Sequence, residues 1–182
     1  MNISNTIIIL VTIFAISISI GNSVLYHQTV NATTDRIGQD TWKKYSNPQM
    51  GFSVDYPTYN GLADIKENPT GIIRSVEISI PTFGMVFHIS NDSMLDPQKQ
   101  AILSQTQDQN NQKKVSEIAP IVVNGVRGYT YFTMNPYTQF TTANLFFKNA
   151  FNNYYEIYLS GPYTESYVNI LTKVQNSLRF LN

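Results

Sequence analysis

Apolar and polar residues alternate with period two through much of the second half of this chain. Val126, Gly128, Thr130 and Phe132 fall on one side of an extended run, and Arg127, Tyr129, Tyr131 and Thr133 on the other. Asn124-Gly125 precedes the run, a strong hairpin signal because both residues tolerate positive φ. Asn135-Pro136 breaks it. The chain then returns with Ala143, Leu145 and Phe147 on one face and Asn144, Phe146 and Lys148 on the other. After a turn at Asn149 to Asn153, Tyr155, Ile157 and Leu159 alternate with Tyr154, Glu156 and Tyr158. Ile121 to Ser160 therefore predicts an antiparallel meander with one apolar face and one tyrosine-rich face. Large residues on both faces imply that both are at least partly covered.

Shorter signals flank this centre. Trp42 opens the domain as a packing anchor, followed by a short strand at Lys43 to Tyr45 and a second at Phe52 to Pro57. Thr58 to Thr70 reads as a loop or weak strand. Ile72 to Ile80 is a clear strand, and Met85, Phe87 and Ile89 mark the inward face of the next, with His88 on the opposite face. Asp96-Pro97 starts a helix, Asp as cap and Pro at the first helical position. That helix runs to about Gln109, is rich in Gln, and suits the edge of a sheet. Lys114 to Pro120 reads as one outer strand. Gly161-Pro162 ends the sheet. A last helix, capped by Thr164, carries Tyr167, Ile170, Leu171, Val174 and Leu178 as one apolar stripe. Strands and helices do not alternate regularly, so the expected class is α+β with an antiparallel sheet.

The first 34 residues contain no Asp, Glu, Lys or Arg, and Ile7 to Ile20 is almost wholly apolar. Such a run reads as a signal peptide or membrane anchor that carries the rest to the extracytoplasmic side. The expected organisation is 1–26 signal peptide or anchor, an N-terminal hydrophobic helix, then 27–40 as a polar tether and 41–182 as the folded domain. Asn31 and Asn91 sit in sequons that permit glycosylation.

Composition narrows the chemistry. Charged residues make up 13% of the 182, and twelve basic residues balance twelve acidic ones. No basic stripe suits nucleic acid. With no cysteine, disulfides, thiolate nucleophiles and zinc–thiolate sites are excluded. His27 and His88 are the only histidines, which argues against a histidine triad or histidine metal site. Asn91, Asp92, Ser93 and Asp96 form an oxygen-rich turn without the spacing of a calcium loop, and read as turn and cap. Asp55, Asp64 and Glu67 are acids whose mutual distance spacing does not set. Tyr129, Tyr131, Tyr154 and Tyr158 share the polar face of the meander. They are expected to pack beneath a helix with their hydroxyls at its margin, the alternative being an exposed patch for a protein or glycan. No residue is assigned a catalytic, cofactor-binding or metal role.

Trp42 with Gly51-Phe52-Ser53-Val54-Asp55-Tyr56-Pro57, then Val123 to Tyr129, Tyr154 to Ile157 and Ser177 to Phe180, occur in an order that resembles the PsbP family. The resemblance covers roughly residues 40 to 182. It implies a PsbP/Mog1-like α/β/α sandwich, an antiparallel sheet of about six strands flanked by helices. For photosynthetic members it also implies an extrinsic place on a membrane complex and calcium retention; calcium enters here by that resemblance only, and it maps onto no named residue. The resulting expectation is a noncatalytic, extracytoplasmic, membrane-tethered module that binds a protein partner or assists assembly. The alternatives are an extracytoplasmic hydrolase with an acid pair hidden by the fold, and a calcium-associated extrinsic subunit.

Overall fold

The computed structural model describes residues 41–181. The expected leader, anchor helix and tether at 1–26 and 27–40 lie outside the described residues. Among the described residues no helix is long and apolar enough to cross a membrane.

Two hairpin series build the larger sheet. The first comprises β3 (Asp64–Asn68), β4 (Ile73–Ile80) and β5 (Phe83–Ser90). Helix α1 (Pro97–Asn110) then crosses over. The second series comprises β6 (Lys114–Val115), β7 (Ala119–Val123), β8 (Val126–Met134), β9 (Phe140–Lys148) and β10 (Tyr154–Pro162). The series meet where β5 pairs antiparallel with β10, giving the order β3-β4-β5-β10-β9-β8-β6, with β7 also on β8. A second sheet, in the order β1-β2-β11, contains β1 (Trp42–Asn47), β2 (Phe52–Pro57) and β11 (Arg179–Phe180). Helix α2 (Glu165–Ser177) precedes β11.

The expected α+β class, an α/β/α sandwich with an antiparallel sheet of about six strands, is not what forms. The described residues are mostly β, 50% strand against 19% helix, with eleven strands in two sheets and two helices. The physical reason lies in what covers the inner face of the large sheet. Phe52, Val54 and Tyr56 alternate inward from β2 and are buried with Val76, Phe87, Leu145 and Tyr155. Much of the cover expected from a helix is therefore a small sheet, and α2 supplies the remainder through Tyr167, Leu171 and Val174. Short runs also pair more than their sequence suggests. The Thr58 to Thr70 region contains β3, and the single outer strand at Lys114 to Pro120 is two strands, while β10 ends at Pro162, within the expected Gly161-Pro162 break. The last apolar stripe bends: Leu178 is buried at the helix end, and the chain becomes β11 one residue later.

Aromatic rings fasten the two sheets together. Phe52 stacks on Phe87 at 4.5 Å between centroids, and Phe180 sits 4.8 Å from Tyr155 and 5.2 Å from Phe147. The Tyr155 hydroxyl donates to the Gly51 carbonyl at 3.0 Å, and burial pushes its pKa up to about 12. Tyr167 donates to the Leu159 carbonyl at 2.7 Å, which fixes α2 on the sheet. Trp42 is partly buried at the edge of the core, with the Lys173 ammonium 4.0 Å above its ring. The expected hairpin at Asn124-Gly125 forms, with φ of 49° and 82° as a tight turn of this kind requires.

Gly128 permits β8 and β9 to meet as they do. A Cβ there would collide with the Phe146 carbonyl and the Phe147 ring. Gly128→Ala is therefore expected to lower unfolding free energy by about 1–3 kcal/mol through overpacking. Urea unfolding followed by far-UV circular dichroism measures it; an unchanged midpoint would show that β8 and β9 can part at this point without cost.

Candidate functional site

The outer face of the large sheet carries the side chains that the core does not use. Alternation sends Tyr155, Ile157 and Leu159 of β10 inward, and so sends Tyr154, Glu156, Tyr158 and Ser160 outward. Register then sets the neighbours: Glu156 lies opposite His88 on β5 and Phe146 on β9, and Tyr158 lies opposite Val86 and Asn144.

Helix α1 lies on β8 and β9 and covers one half of this face. Asp96 caps it, accepting from the Lys99 N–H at 2.9 Å. Lys148 donates to the Ser93 and Leu95 carbonyls at 2.5 and 3.2 Å, tying the helix entrance to β9. Ala101 is the buried residue of the helix and packs with Tyr131, Phe146 and Tyr154. A small residue here lets the helix approach the aromatic rings closely.

Two carboxylates at the helix margin are each held by tyrosine. Glu156 accepts from Tyr154 and Tyr158, both at 2.9 Å. Its second oxygen stands 3.9 Å from His88 Nδ1, and the His88 ring meets Tyr158 edge-on at 5.6 Å. Asp108, near the end of α1, accepts from Tyr131 at 2.9 Å and from Lys113 at 2.7 Å. Burial pushes the Tyr131, Tyr154 and Tyr158 hydroxyls well above the ordinary phenol range, and the adjacent carboxylates push them further. For Glu156, burial acts upward, but the nearby His88 ring and the Tyr154 and Tyr158 hydrogen bonds outweigh it and leave its pKa lowered.

An open polar groove of about 400 Å³ runs between the end of α1 and strands β8, β9 and β10. Asp108, Tyr131, Asn144 and Tyr158 line it, with the Thr142 and Ser160 hydroxyls 2.9 Å apart.

The tyrosine stripe follows the expectation at Tyr129, Tyr131 and Tyr154, whereas Tyr158 lines the open groove. Tyr131 and Tyr154 are buried beside α1 with their hydroxyls on acids, and Tyr129 donates to Gln98 on that helix at 3.2 Å. His88 occupies the face predicted for it. Asn91, Asp92 and Asp96 act as turn and cap: Asp92 accepts from the Met94 N–H at 2.9 Å, and Asn91 accepts from Arg74 at 2.6 Å. Asp55, Asp64 and Glu67 do not converge. Asp55 belongs to the small sheet, Asp64 pairs with Lys66 at 3.3 Å, and Glu67 accepts from Tyr45 on the other face of β3. Among the described residues no three His, Asp or Glu side chains gather as a metal site.

Asp108 and Glu156 were not singled out by sequence. Glu156 had a readable signal, an acid flanked at i−2 and i+2 by tyrosines on the polar face of a central strand. Asp108 had none, because its role depends on where the helix lands.

No protein-family model matches the chain, and no curated protein matches it in sequence. Among solved structures, it is similar to a protein of unknown function, PA94, from Pseudomonas aeruginosa. The identity is 12%, covering 74% of this chain and 94% of that one, at a TM-score of 0.41. A Bacteroides thetaiotaomicron structure is similar at 15% identity, covering 77% of this chain and 48% of that one, at a TM-score of 0.37. Likenesses at these scores carry no argument about function, and none of the comparisons points to PsbP.

Because the folded-state pKa of Glu156 is lowered, its contribution is present above the unfolded value near 4.5 and is lost as pH falls through the folded value. Glu156→Gln is expected to cost about 1–3 kcal/mol at pH 7, where a charged acceptor of two hydroxyl hydrogen bonds is replaced. The gap between wild type and variant should narrow below that pH window. Urea unfolding at pH 7 and pH 3 measures it; an equal gap at both would contradict the assignment.

Proposed function

We propose that this chain is a noncatalytic recognition module, tethered at the membrane on its extracytoplasmic side, that binds a protein partner or assists an assembly there. The observation that carries this reading is the engagement of both acids on the outer face. Glu156 is held by Tyr154 and Tyr158, and Asp108 by Tyr131 and Lys113. Acids held in this way fix the shape of a polar surface. A general base instead needs a route to a substrate proton; Glu156 does not line the groove, and Asp108, which does, is paired with Lys113. The phenols, pushed upward, stay protonated donors at neutral pH. Exposed Ile72, Ile73 and Met94 add apolar contact area near one end of β4 and the β5–α1 connection. The tether and its destination rest on the apolar run at Ile7 to Ile20.

One observation favours a second reading, an extracytoplasmic hydrolase: Asp108 and Glu156 both act on Tyr158, which lines the groove. A calcium role rests on the PsbP resemblance alone.

Two measurements test the proposal. Protease added outside intact cells is expected to digest residues 41–182, and protection until the membrane is opened would contradict the extracytoplasmic placement. Capture from solubilised membranes with the full chain is expected to recover a reproducible partner, reduced at least fivefold by Ile72→Asp with Ile73→Asp, a loss of about 1 kcal/mol or more. Substrate turnover by the wild type that is abolished in Glu156→Gln or Asp108→Asn would overturn the noncatalytic reading.

A further inference from the structure

The groove beside α1 gathers polar groups whose hydrogen-bonding capacity the fold only partly uses. Its volume of about 400 Å³ lies within the roughly 300–1,000 Å³ usual for small-molecule sites. The charged residues on its lining are Asp108 and Lys113, and they pair with each other at 2.7 Å. An ionic ligand would therefore meet no uncompensated charge to repay its loss of water. What remains is neutral chemistry. Asn144 donates its amide N–H groups to the Tyr131 and Thr142 carbonyls, at 3.3 and 3.2 Å. Its amide oxygen is then the group it offers to the groove. The Thr142 and Ser160 hydroxyls share one hydrogen bond, which uses one donor and one acceptor and leaves each hydroxyl further capacity. Gln107, exposed on the α1 wall, supplies both a donor and an acceptor.

Hydroxyl and amide groups that both give and take hydrogen bonds match a ligand whose own groups do the same. A cluster of alcohols has that property; a carboxylate, phosphate or ammonium does not. Tyr158 adds a ring, oriented by its hydroxyl bond to Glu156 and by the edge of His88. A rigid ring at a polar site suits the C–H face of a sugar.

We propose that the groove binds a neutral, polyhydroxylated ligand, one or two sugar residues, held by Asn144, Thr142, Ser160 and Gln107 against the ring of Tyr158. The proposal rests on the recognition reading above and names the chemistry of what is recognised. That chemistry has two sources, a free oligosaccharide or a glycan displayed on a protein.

The test uses the full chain in lipid nanodiscs, avoiding sugar-headed detergents. Saturation-transfer NMR is run with cellobiose and N,N′-diacetylchitobiose as neutral probes, and with glucuronic acid and glucosamine as charged ones. The neutral disaccharides are expected to receive saturation, with the charged sugars much weaker. Gln107→Ala, at an exposed helix position, should weaken binding roughly fivefold, as loss of one hydrogen bond does, without moving the thermal midpoint. No transfer to either disaccharide, or transfer unchanged in Gln107→Ala combined with Thr142→Val, would overturn the proposal. Partner capture before and after enzymatic deglycosylation separates the sources: capture lost on deglycosylation assigns a displayed glycan, and disaccharide binding with capture unchanged assigns a free sugar. A partner captured while neither disaccharide binds overturns the sugar assignment alone. A bound sugar that is hydrolysed supports the ligand class and overturns the noncatalytic reading.

Discussion

A carboxylate on the central strand of a sheet has to be satisfied where it stands. Glu156 lies on β10, which has β5 on one side and β9 on the other, so it has no route to the sheet edge. Its side chain is 22% exposed. A half-buried charge of this kind is tolerated only with hydrogen bonds to both oxygens. Tyr154 and Tyr158 supply them from the same strand, two residues either side, because period two returns i−2 and i+2 to the same face. Placing these tyrosines also shapes what surrounds them. Tyr154 becomes the ring under α1 beside Ala101, and Tyr158 becomes a wall of the groove.

The same strand anchors the opposite layer. Tyr155, Ile157 and Leu159 alternate with the polar set and are buried against the small sheet and α2. The Tyr155 hydroxyl reaches the Gly51 carbonyl, at the turn between β1 and β2, while its ring packs on Phe180 of β11. One strand thus carries a dry aromatic seam inward and a hydrogen-bonded acid outward. The inner seam supplies cohesion through buried aromatic area. The outer network adds little area, and its value lies in fixing side-chain directions around the groove. A register slip of one residue would exchange the two sets, burying Glu156 in the seam, so the acid also specifies the pairing.

Sequence pattern exposed this strand logic well. The period-two faces of β8, β9 and β10, the Asn124-Gly125 turn, the Asp96 and Thr164 caps and the outward tyrosines are all local features with local causes. Architecture was less legible. Whether Phe52, Val54 and Tyr56 meet a helix or the inner face of another sheet depends on pairing with Phe180, more than 120 residues away, which no local pattern encodes. For the same reason a two-residue strand such as β11 is invisible until its partner is in place. Of the site, Tyr131, Tyr154, Tyr158 and His88 could be assigned to the right face from alternation alone. Asp108 could not, because the Gln-rich α1 has no apolar stripe to say which side it lays on the sheet. The acids named instead, Asp55, Asp64 and Glu67, are near in sequence but divided between two sheets and two faces.

The acids beside α1, as fixed acceptors, set the shape of a surface. Direct titration of the Glu156 side-chain carboxyl by carbon-13 NMR in the folded chain tests that most directly. A fixed acceptor gives a pKa below the ordinary glutamate value, with Tyr154 and Tyr158 showing no ionisation through pH 10. A Glu156 pKa raised to about 6 or above, the range of a general acid, would contradict it.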